Sequence, residues 1–426
     1  MSPKSPSISL TEAAKPALVP KLRFPEFRGA EGWKSTELGS VCEILNNRRR
    51  PITGSDREPG TYPYYGASGI VDFVKEFIFD ERLLLVGEDG AKWNAFEKTA
   101  FIAEGKYWVN NHAHVLKPFA IRDTLLENYL TMVDLGPFVT GAAPPKLTLG
   151  KLKNIPVPVP SSTVEQQKIT DCLSSLDELI AALARKVDAL KTHKKGLMQQ
   201  LFPREGETQP RLRFPEFRDA GEWERKKLEQ LATYTKGFAF KSQDYRSQGV
   251  RVIRVSDLGV NSIKPSNEKI FIATELASDY ERYVLIKGEI IITTVGSKPE
   301  LTESAVGRGI FVHCSNEGLL NQNLLKLEAM DGFNSAFLFS NVNTEKYQKF
   351  IVSISRGNAN QANIAVKDLM DFELQIPTLD EQQKIADCLS SIDDLITAQT
   401  QALETLKTHK KGLMQQLFPS AQEVEP

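Results

Sequence analysis

Residues 165–203 read EQQKITDCLSSLDELIAALARKVDALKTHKKGLMQQLFP, and residues 381–419 read EQQKIADCLSSIDDLITAQTQALETLKTHKKGLMQQLFP. The two segments agree at most positions, and their last 14 letters are identical. A second pair also repeats, because KLRFPEFRGAEGW at 21–33 returns as RLRFPEFRDAGEW at 211–223. The chain is therefore built twice on one plan: a short marker, a variable stretch and a long repeat.

The long repeat is predicted to be a helix with one apolar seam. From Ile169 and from Ile385 onward, apolar residues recur at alternating steps of four and three, which is coiled-coil spacing. The seam positions are Leu173, Leu176, Ile180, Leu183, Val187 and Leu190 in the first copy, and Leu389, Ile392, Ile396, Leu403 and Leu406 in the second. Lys194, Gln399 and Lys410 interrupt the seam. Two helices packed separately on their own globular units are the simpler alternative, but the sustained period favours an antiparallel pair.

Start and stop signals agree with these helices. Ser162-x-x-Glu165 and Thr378-x-x-Glu381 fit capping boxes, in which the hydroxyl and the carboxylate each accept a hydrogen bond from a free backbone N–H. Prolines flank both segments, at Pro160, Pro203, Pro377 and Pro419. The sequence therefore predicts two long helices of similar length.

The stretches between the markers and the helices show little mutual similarity. Residues 81–90 and 283–297 contain apolar, β-branched runs that end at glycine turns, as strands do. The predicted fold class is α+β, with two mixed α/β domains separated by an antiparallel two-helix coiled coil. The predicted parts are a flexible arm (1–20), a first domain (21–160), a first long helix (161–205), a second domain (206–377), a second long helix (378–419) and a tail (420–426).

Composition is that of a soluble globular protein, with a net charge of −1 at pH 7. Residues 21–160 hold 18 basic and 17 acidic residues, and residues 211–377 hold 22 and 21. Binding to nucleic acid would therefore require the positive charge to be concentrated on one face. No apolar run is long enough for a membrane span, so a cytoplasmic protein without membrane contact is expected. The four cysteines lack metal-ligand spacing, and no metal site is predicted.

Short polar loops hold the candidate binding residues. The cations suited to phosphates or guanine edges are Arg48, Arg49, Arg50, Lys92, Lys146, Lys236, Lys241, Lys298 and Arg356. The amides suited to adenine are Asn110, Asn111, Asn358, Asn360 and Gln361. For each loop, an ordinary solvated turn is the plain alternative.

Three further features of these loops have competing interpretations. Tyr64 has a ring that could stack on a base, although an aromatic residue beside a glycine turn is more often part of the core. His112 and His114 lack acidic or cysteine partners at ligand spacing, so a structural or base-reading role is favoured over a metal. GEDGAK at 87–92 has the acidic pair and lysine of some nucleases, but one such triplet in a turn is a weak signal.

Motifs for catalysis are absent from the sequence. It contains no G-x-x-x-x-G-K-[ST] phosphate loop, no glycine-rich turn of the kind that holds S-adenosylmethionine, and no nucleophile elbow. A non-catalytic binding protein is therefore predicted.

The arrangement resembles the specificity (S) subunits of type I restriction-modification systems. The resemblance rests on RFPEFR before each variable stretch, on the EQQKI helices that end in KKGLMQQLFP, and on YGASGIVDF (65–73), LLLVGEDGA (83–91), VNNHAHVLKP (109–118) and TGAAPPKLT (140–148). It covers nearly the whole chain after residue 19.

This resemblance implies two target recognition domains, each reading one half of a split site in double-stranded DNA, with the coiled coil fixing the gap. It implies two modification (methyltransferase) subunits and two restriction (motor-nuclease) subunits as partners. S-adenosylmethionine, ATP and Mg²⁺ would belong to those partners, and this chain would hold no cofactor. Two alternatives remain: a coiled-coil scaffold whose domains bind proteins, and a self-sufficient DNA methyltransferase, which the missing motifs disfavour.

Overall fold

A computed structural model describes residues 18–259, 262–264, 268–299, 305–358 and 361–420. The chain forms two compact units. Unit 1 comprises Met1–Ala184 and Gln401–Pro426, and unit 2 comprises Arg185–Thr400. Each unit thus contains one variable stretch, together with the first part of one long helix and the last part of the other.

Unit 1 contains ten strands and two short helices in its variable stretch. The strands are β1 (Lys34–Glu37), β2 (Cys42–Ile44), β3 (Pro59–Gly66), β4 (Gly69–Val74), β5 (Phe79–Asp80), β6 (Leu83–Gly87), β7 (Ala100–Ala103), β8 (Lys106–Val109), β9 (Ala113–Pro118) and β10 (Pro156–Val159). The helices are α1 (Asp123–Met132) and α2 (Leu149–Lys153), and the first long helix is α3 (Thr163–Leu201).

The described part of unit 2 is similarly mixed. Its strands are β11 (Glu224–Lys227), β12 (Ala232–Lys236), β13 (Tyr245–Arg246), β14 (Val250–Ile253), β15 (Ile270–Ile272), β16 (Ile290–Thr293), β17 (Val295–Gly296), β18 (Gly309–Phe311), β19 (Leu319–Leu320), β20 (Leu324–Ala329), β21 (Arg356–Gly357), β22 (Ala362–Asn363) and β23 (Glu373–Ile376). The helices are α4 (Thr274–Ala277), α5 (Ser335–Asn341), α6 (Glu345–Ile354), α7 (Val366–Met370) and the second long helix α8 (Leu379–Leu417).

Each unit has its own central four-stranded sheet, and the two sheets have the same plan. In unit 1 the antiparallel strand order is β2-β9-β6-β7, and in unit 2 it is β12-β20-β16-β18. Each unit also has a second four-stranded sheet that contains one parallel pair, β3 with β8 in unit 1 and β14 with β19 in unit 2. The divergent stretches therefore adopt the same core plan, which the sequence comparison did not reveal.

A two-stranded ribbon closes each variable stretch and leads into the long helix. β1 pairs with β10 in unit 1, and β11 pairs with β23 in unit 2. Leu18 bonds reciprocally to the backbone of Trp33, and its side chain belongs to the core of unit 1. The arm predicted for residues 1–20 is therefore anchored at Leu18, while residues 1–17 lie outside the described part of the chain.

The repeated arginine of the marker binds the repeated glutamate of the helix. Arg23 donates from Nε and Nη2 to both carboxylate oxygens of Glu165, at 2.6 and 2.7 Å. Arg213 binds Glu381 in the same way in unit 2, at 2.8 and 2.7 Å. The predicted capping boxes are thus wrong in their carboxylate half, because a bidentate bond to a guanidinium is stronger than one to a neutral N–H. The hydroxyl half holds for Ser162, which accepts from the N–H of Glu165 at 3.3 Å.

Both long helices span 39 residues, roughly 58 Å at ~1.5 Å per residue. In unit 1, Ile169 and Leu173 of α3 share a core with Met414 and Leu417 of α8. In unit 2, Leu201 at the end of α3 shares a core with residues at the start of α8. Within each unit the helix segments therefore run antiparallel, and the predicted fold class is confirmed.

The predicted seam is buried or partly buried along its length. Leu173, Val187, Leu389 and Leu403 are buried, and the remaining seam residues are partly buried. Its two lysines form ion pairs at equivalent positions, Lys410 with Asp177 in unit 1 and Lys194 with Asp393 in unit 2, both at 2.6 Å. Within the described residues, no helix is long and apolar enough to span a membrane.

Candidate nucleic-acid interface

Three of the polar loops predicted in unit 1 meet at one edge of its central sheet. The N–H of Glu88, just after β6, donates to the carbonyl of His112 at 2.8 Å. The N–H of Leu147 donates to the carbonyl of Glu88, also at 2.8 Å, and Asp89 forms a β-bridge with Lys146. Loops 87–92, 110–112 and 140–146 therefore form one continuous surface.

Arg49 joins a fourth loop to this edge. Its guanidinium donates to the Glu88 carboxylate at 2.5 Å, to the Ala113 carbonyl at 2.8 Å and to the Asn46 carbonyl at 3.1 Å. Only 14% of its side-chain surface is exposed. The structure therefore places Arg49 as a positioning residue between loops, where the sequence suggested a flexible cation.

Two carboxylates bind the basic side chains at this edge. Glu88 also accepts from Nζ of Lys146 at 2.9 Å, and Asp89 is hydrogen-bonded to Nδ1 of His112. Burial acts to raise the pKa of Glu88, but the hydrogen bonds from Arg49 and Lys146 outweigh it and hold that pKa below its usual value. Glu88 is therefore ionised near neutral pH and fixes both cations.

His114 lies beneath this surface with no exposed side-chain area. Burial lowers its pKa, and its ring lies between the Leu147 carbonyl, 2.7 Å from Nε2, and the Asn46 amide, 2.8 Å from Nδ1. A neutral ring that donates from Nε2 and accepts at Nδ1 satisfies both neighbours. The geometry supports the structural interpretation of His114.

The other unit 1 candidates differ in accessibility. Arg50, Lys92 and Asn111 are exposed. Asn110 is 5% exposed, and its side-chain oxygen accepts from the N–H of His112 at 2.8 Å. Arg48 is bound to Glu81 at 2.7 Å and lies over the ring of Phe79.

Tyr64 is the clearest disagreement with the sequence prediction. Its ring is 1% exposed, belongs to a core cluster with Val74 and Trp108, and is covered by Arg57. Its hydroxyl accepts from the N–H of Ile52 at 3.1 Å. A base cannot stack on this ring, so Tyr64 is corrected from a contact residue to a core residue.

In unit 2, loops meet at the corresponding edge of the central sheet through equivalent backbone hydrogen bonds. The N–H of Thr294, just after β16, donates to the carbonyl of Asn323 at 2.9 Å, and the N–H of Ile364 donates to the carbonyl of Thr294 at 3.0 Å. These bonds match those of Glu88 and Leu147 in unit 1. β17 pairs with β22, which pairs with β21, so loops 293–298 and 321–323 meet residues 355–358 and 361–363 at this edge.

The described candidates of unit 2 are exposed. Lys236 ends β12, and the following Phe238 donates its N–H to the carbonyl of Leu320, next to loop 321–323. Lys241, Lys298, Asn358 and Gln361 are exposed. Arg356 is bound to Asp368 at 2.7 Å while 69% of its side-chain surface stays exposed. Asn360 lies outside the described residues.

The sequence-based candidate set omitted the acidic and amide residues that organise the two edges. These residues are Asn46, Glu88, Asp89, Asn321 and Asn323. The available signal was GEDGAK, whose acidic pair stands beside cationic loops. Its interpretation required knowing that strand pairing brings residues 49, 88 and 146 together, which no local pattern reveals.

Comparison with known proteins identifies this architecture. A family model described as the type I restriction modification DNA specificity domain matches residues 30–192 and 220–408. These matches cover more than half of the chain, which belongs to this family of DNA sequence-recognition subunits. The resemblance inferred from the motifs is thereby confirmed.

Individual relatives agree with the family match. The type I restriction enzyme MjaVIII specificity subunit of Methanocaldococcus jannaschii is 23% identical over 424 residues, 93% of this chain and 95% of that protein. A Haemophilus influenzae protein described as a type I restriction enzyme specificity subunit is 38% identical over 148 residues, 34% of this chain and 37% of that protein. The crystal structure of the S subunit from M. genitalium has the same fold, with a TM-score of 0.63 at 13% identity, covering 95% of this chain and 100% of that one.

Proposed function

We propose that this chain reads a bipartite target in double-stranded DNA, with the loop edge of each unit reading one half. The observation that supports this most directly is the duplicated edge. Matching backbone hydrogen bonds hold loops 87–92 and 293–298 against equivalent neighbours, while the side chains differ, as in Glu88 against Thr294 and His112 against Asn323. One scaffold bearing two sets of side chains suits a target with two unlike halves.

The chemistry of the edges suits DNA. Unit 1 offers cations to phosphates or guanine from the exposed Arg50 and Lys92 and from the partly buried Lys146, and unit 2 offers them from the exposed Lys236 and Lys298. The amides of Asn111 and Gln361 offer paired donors and acceptors to base edges. Local concentration of these groups is consistent with the nearly neutral charge of the whole chain.

Partner proteins carry out the chemical steps. The chain acts without a cofactor in a cytoplasmic complex with two modification subunits and two restriction subunits. S-adenosylmethionine for methylation, and ATP and Mg²⁺ for cleavage, bind to those subunits. The antiparallel helices set the distance between the two half-sites.

The test is the recognition sequence of the assembled modification complex, obtained by sequencing methylated random DNA. A bipartite motif is expected for the unchanged chain. Replacing Lys298, Asn358 and Gln361 together by alanine should alter one half of the motif, and replacing Asn111 and Lys146 should alter the other. If the variant complexes methylated the same recognition sequence as the unchanged complex, the protein-binding scaffold would be favoured instead.

A further inference from the structure

An exposed apolar hairpin lies next to the edge of the unit 1 central sheet where loops 87–92, 110–112 and 140–146 meet. β3 and β4 form this hairpin, and Ile70, Val71 and Phe73 of β4 are 49, 57 and 50% exposed. Exposed aliphatic side chains at adjacent positions are unusual in a strand with one buried face, because successive side chains should alternate. The exposure of adjacent apolar side chains on β4 therefore requires a local explanation. Because the hairpin lies beside the loops of the candidate interface, these side chains are also candidates for contact with a ligand.

The local cause is a β-bulge at Val71. Tyr64 pairs with Asp72 and Tyr65 pairs with Ile70, so Val71 is an extra residue without a partner across the ladder. A bulge redirects the side chain at its position, and bulges are over-represented beside functional sites. The side chain of Val71 consequently does not follow the alternation between the two faces of the strand.

The bulge directs Val71 toward the loop edge. A Cβ atom added to Gly66 would lie 2.9 Å from Cγ1 of Val71 and 3.4 Å from Nδ2 of Asn110, so both side chains border the same side of Gly66. The N–H of Asn110 donates to the carbonyl of Tyr65 at 3.0 Å. At the hairpin tip, the carbonyl of Ala67 would be only 2.9 Å from a Cβ on Gly87. Val71 therefore lies beside loop 110–112, in which Asn110 is buried and Asn111 and His112 are exposed.

We propose that Val71 contacts the 5-methyl group of one thymine in the major groove. This inference rests on the proposed function, since it names a base that the edge would read. A valine has no donor or acceptor for the other groove atoms, whereas the thymine methyl is the apolar group of the major groove. The surrounding amide and cationic groups position the DNA, and Val71 supplies discrimination between thymine and cytosine.

Deoxyuridine isolates this contact, because it lacks the 5-methyl group and keeps every hydrogen-bonding atom of thymine. Binding of the assembled modification complex is measured with each thymine of its target replaced in turn by deoxyuridine, for the unchanged chain and for Val71→Ala. One replacement should weaken binding by the unchanged chain about fourfold, the value expected for burial of one methyl group. Val71→Ala should bind the thymine target that much more weakly and be insensitive to deoxyuridine at the same position.

Phe73→Ala is the matched control, since Phe73 is equally exposed on the same strand but is two residues beyond the bulge. It should keep the full sensitivity to deoxyuridine. Equal tolerance of deoxyuridine at every thymine, or the same losses in the Val71→Ala complex, would overturn the inference and leave the proposed function standing. Loss of all sequence preference in the unchanged complex would instead overturn the proposed function, and this inference with it.

Discussion

At the scale of single residues, the pair of Arg23 and Glu165 joins the marker to the start of α3. Only 5% and 1% of their side-chain surfaces are exposed, and the Trp33 indole donates to the same carboxylate at 3.2 Å. Arg23 also donates to the carbonyls of Ala30 and Glu31, at 2.9 and 2.8 Å. The pair is thus almost completely buried, and four of the five guanidinium N–H groups donate hydrogen bonds, so removing either charge leaves the other without compensation.

Arg23→Ala should lower the free energy of unfolding by about 3–5 kcal/mol, because it leaves the Glu165 carboxylate buried and unpaired. Urea denaturation of the purified chain measures this loss. Lys168→Ala is the matched control on the same helix. Lys168 lies 3.4 Å from Glu26, and both side chains are about half exposed, so its removal should cost less than about 1 kcal/mol. Equal losses for the two variants would contradict the role given to the buried pair.

Glu127 on α1 provides a pH-dependent prediction. Burial raises the pKa of its carboxyl to about 7, and the nearby Asp177 adds to the effect. In the unfolded chain this pKa is near 4.3, so the folded state holds the extra proton between these values. Stability from this group is therefore present below about pH 4 and is lost as pH rises toward 7.

Glu127→Gln should remove this loss, because the amide stays neutral. The variant should gain stability relative to the unchanged chain between pH 5 and pH 8, by roughly 1–3 kcal/mol. Denaturation at both pH values measures the difference. A constant difference across this range would show that Glu127 titrates at an ordinary pKa in the folded chain.

Residue roles were only partly predictable from the sequence. Composition identified the polar loops, because glycine turns flanked by amides and cations are visible locally. The burial of Tyr64 and of Arg49 is not visible locally, because it depends on partners such as Trp108 and Glu88 that lie far along the chain. The local pattern predicts a cap at Glu165, because the competing guanidinium, 142 residues away, has no local signature.

At the scale of elements, the long helices were predicted closely, and their polar seam positions were not explained. The periodicity and flanking prolines predicted helices that the structure places at Thr163–Leu201 and Leu379–Leu417. Lys194 and Lys410 interrupted the pattern. The structure gives each an aspartate on the facing helix, within its own unit. A polar pair in an apolar seam favours one register and orientation over others.

Reversing one charge tests this interpretation of the seam. Lys194→Asp should destabilise the chain by about 1–2 kcal/mol, because it places two carboxylates together in a partly buried site. Adding Asp393→Lys should recover most of the lost stability. Exchanging the charges of Lys410 and Asp177 should have the same two effects. A double-mutant cycle in urea gives the coupling energy. A coupling energy near zero would mean that these pairs contribute nothing to the register.

At the scale of the whole molecule, the duplicated plan was visible in the sequence only in its frame. The markers and long helices repeat almost letter for letter, so their equivalence is immediate. The variable stretches have diverged, yet β2-β9-β6-β7 and β12-β20-β16-β18 have the same order. Strand order depends on pairings between distant segments, and many side-chain sets satisfy it. The common strand order of the two sheets, and the loops that meet at the edge of each, could therefore be recognised only from the structure.

In the proposed function, the paired helices set the spacing of the half-sites, so the length of the gap should follow the length of the helices. Inserting seven residues after Ala182 and seven after Ala398, at equivalent exposed positions, keeps the seam in register because one heptad is added to each helix. The added length is roughly 11 Å at ~1.5 Å per residue, or about three base pairs at ~3.4 Å per step. The recognition sequence, read from methylation by the assembled complex, should therefore show a longer gap with both half-sites retained.

Insertion of a single residue in each helix serves as the control. It shifts the apolar seam around the helix and should cost stability without defining a new gap. A seven-residue double insertion that stays folded and active but keeps the original gap would contradict the proposal. The spacing would then have to be set by the partner subunits, since the helix lengths would have changed while the distance between the half-sites had not.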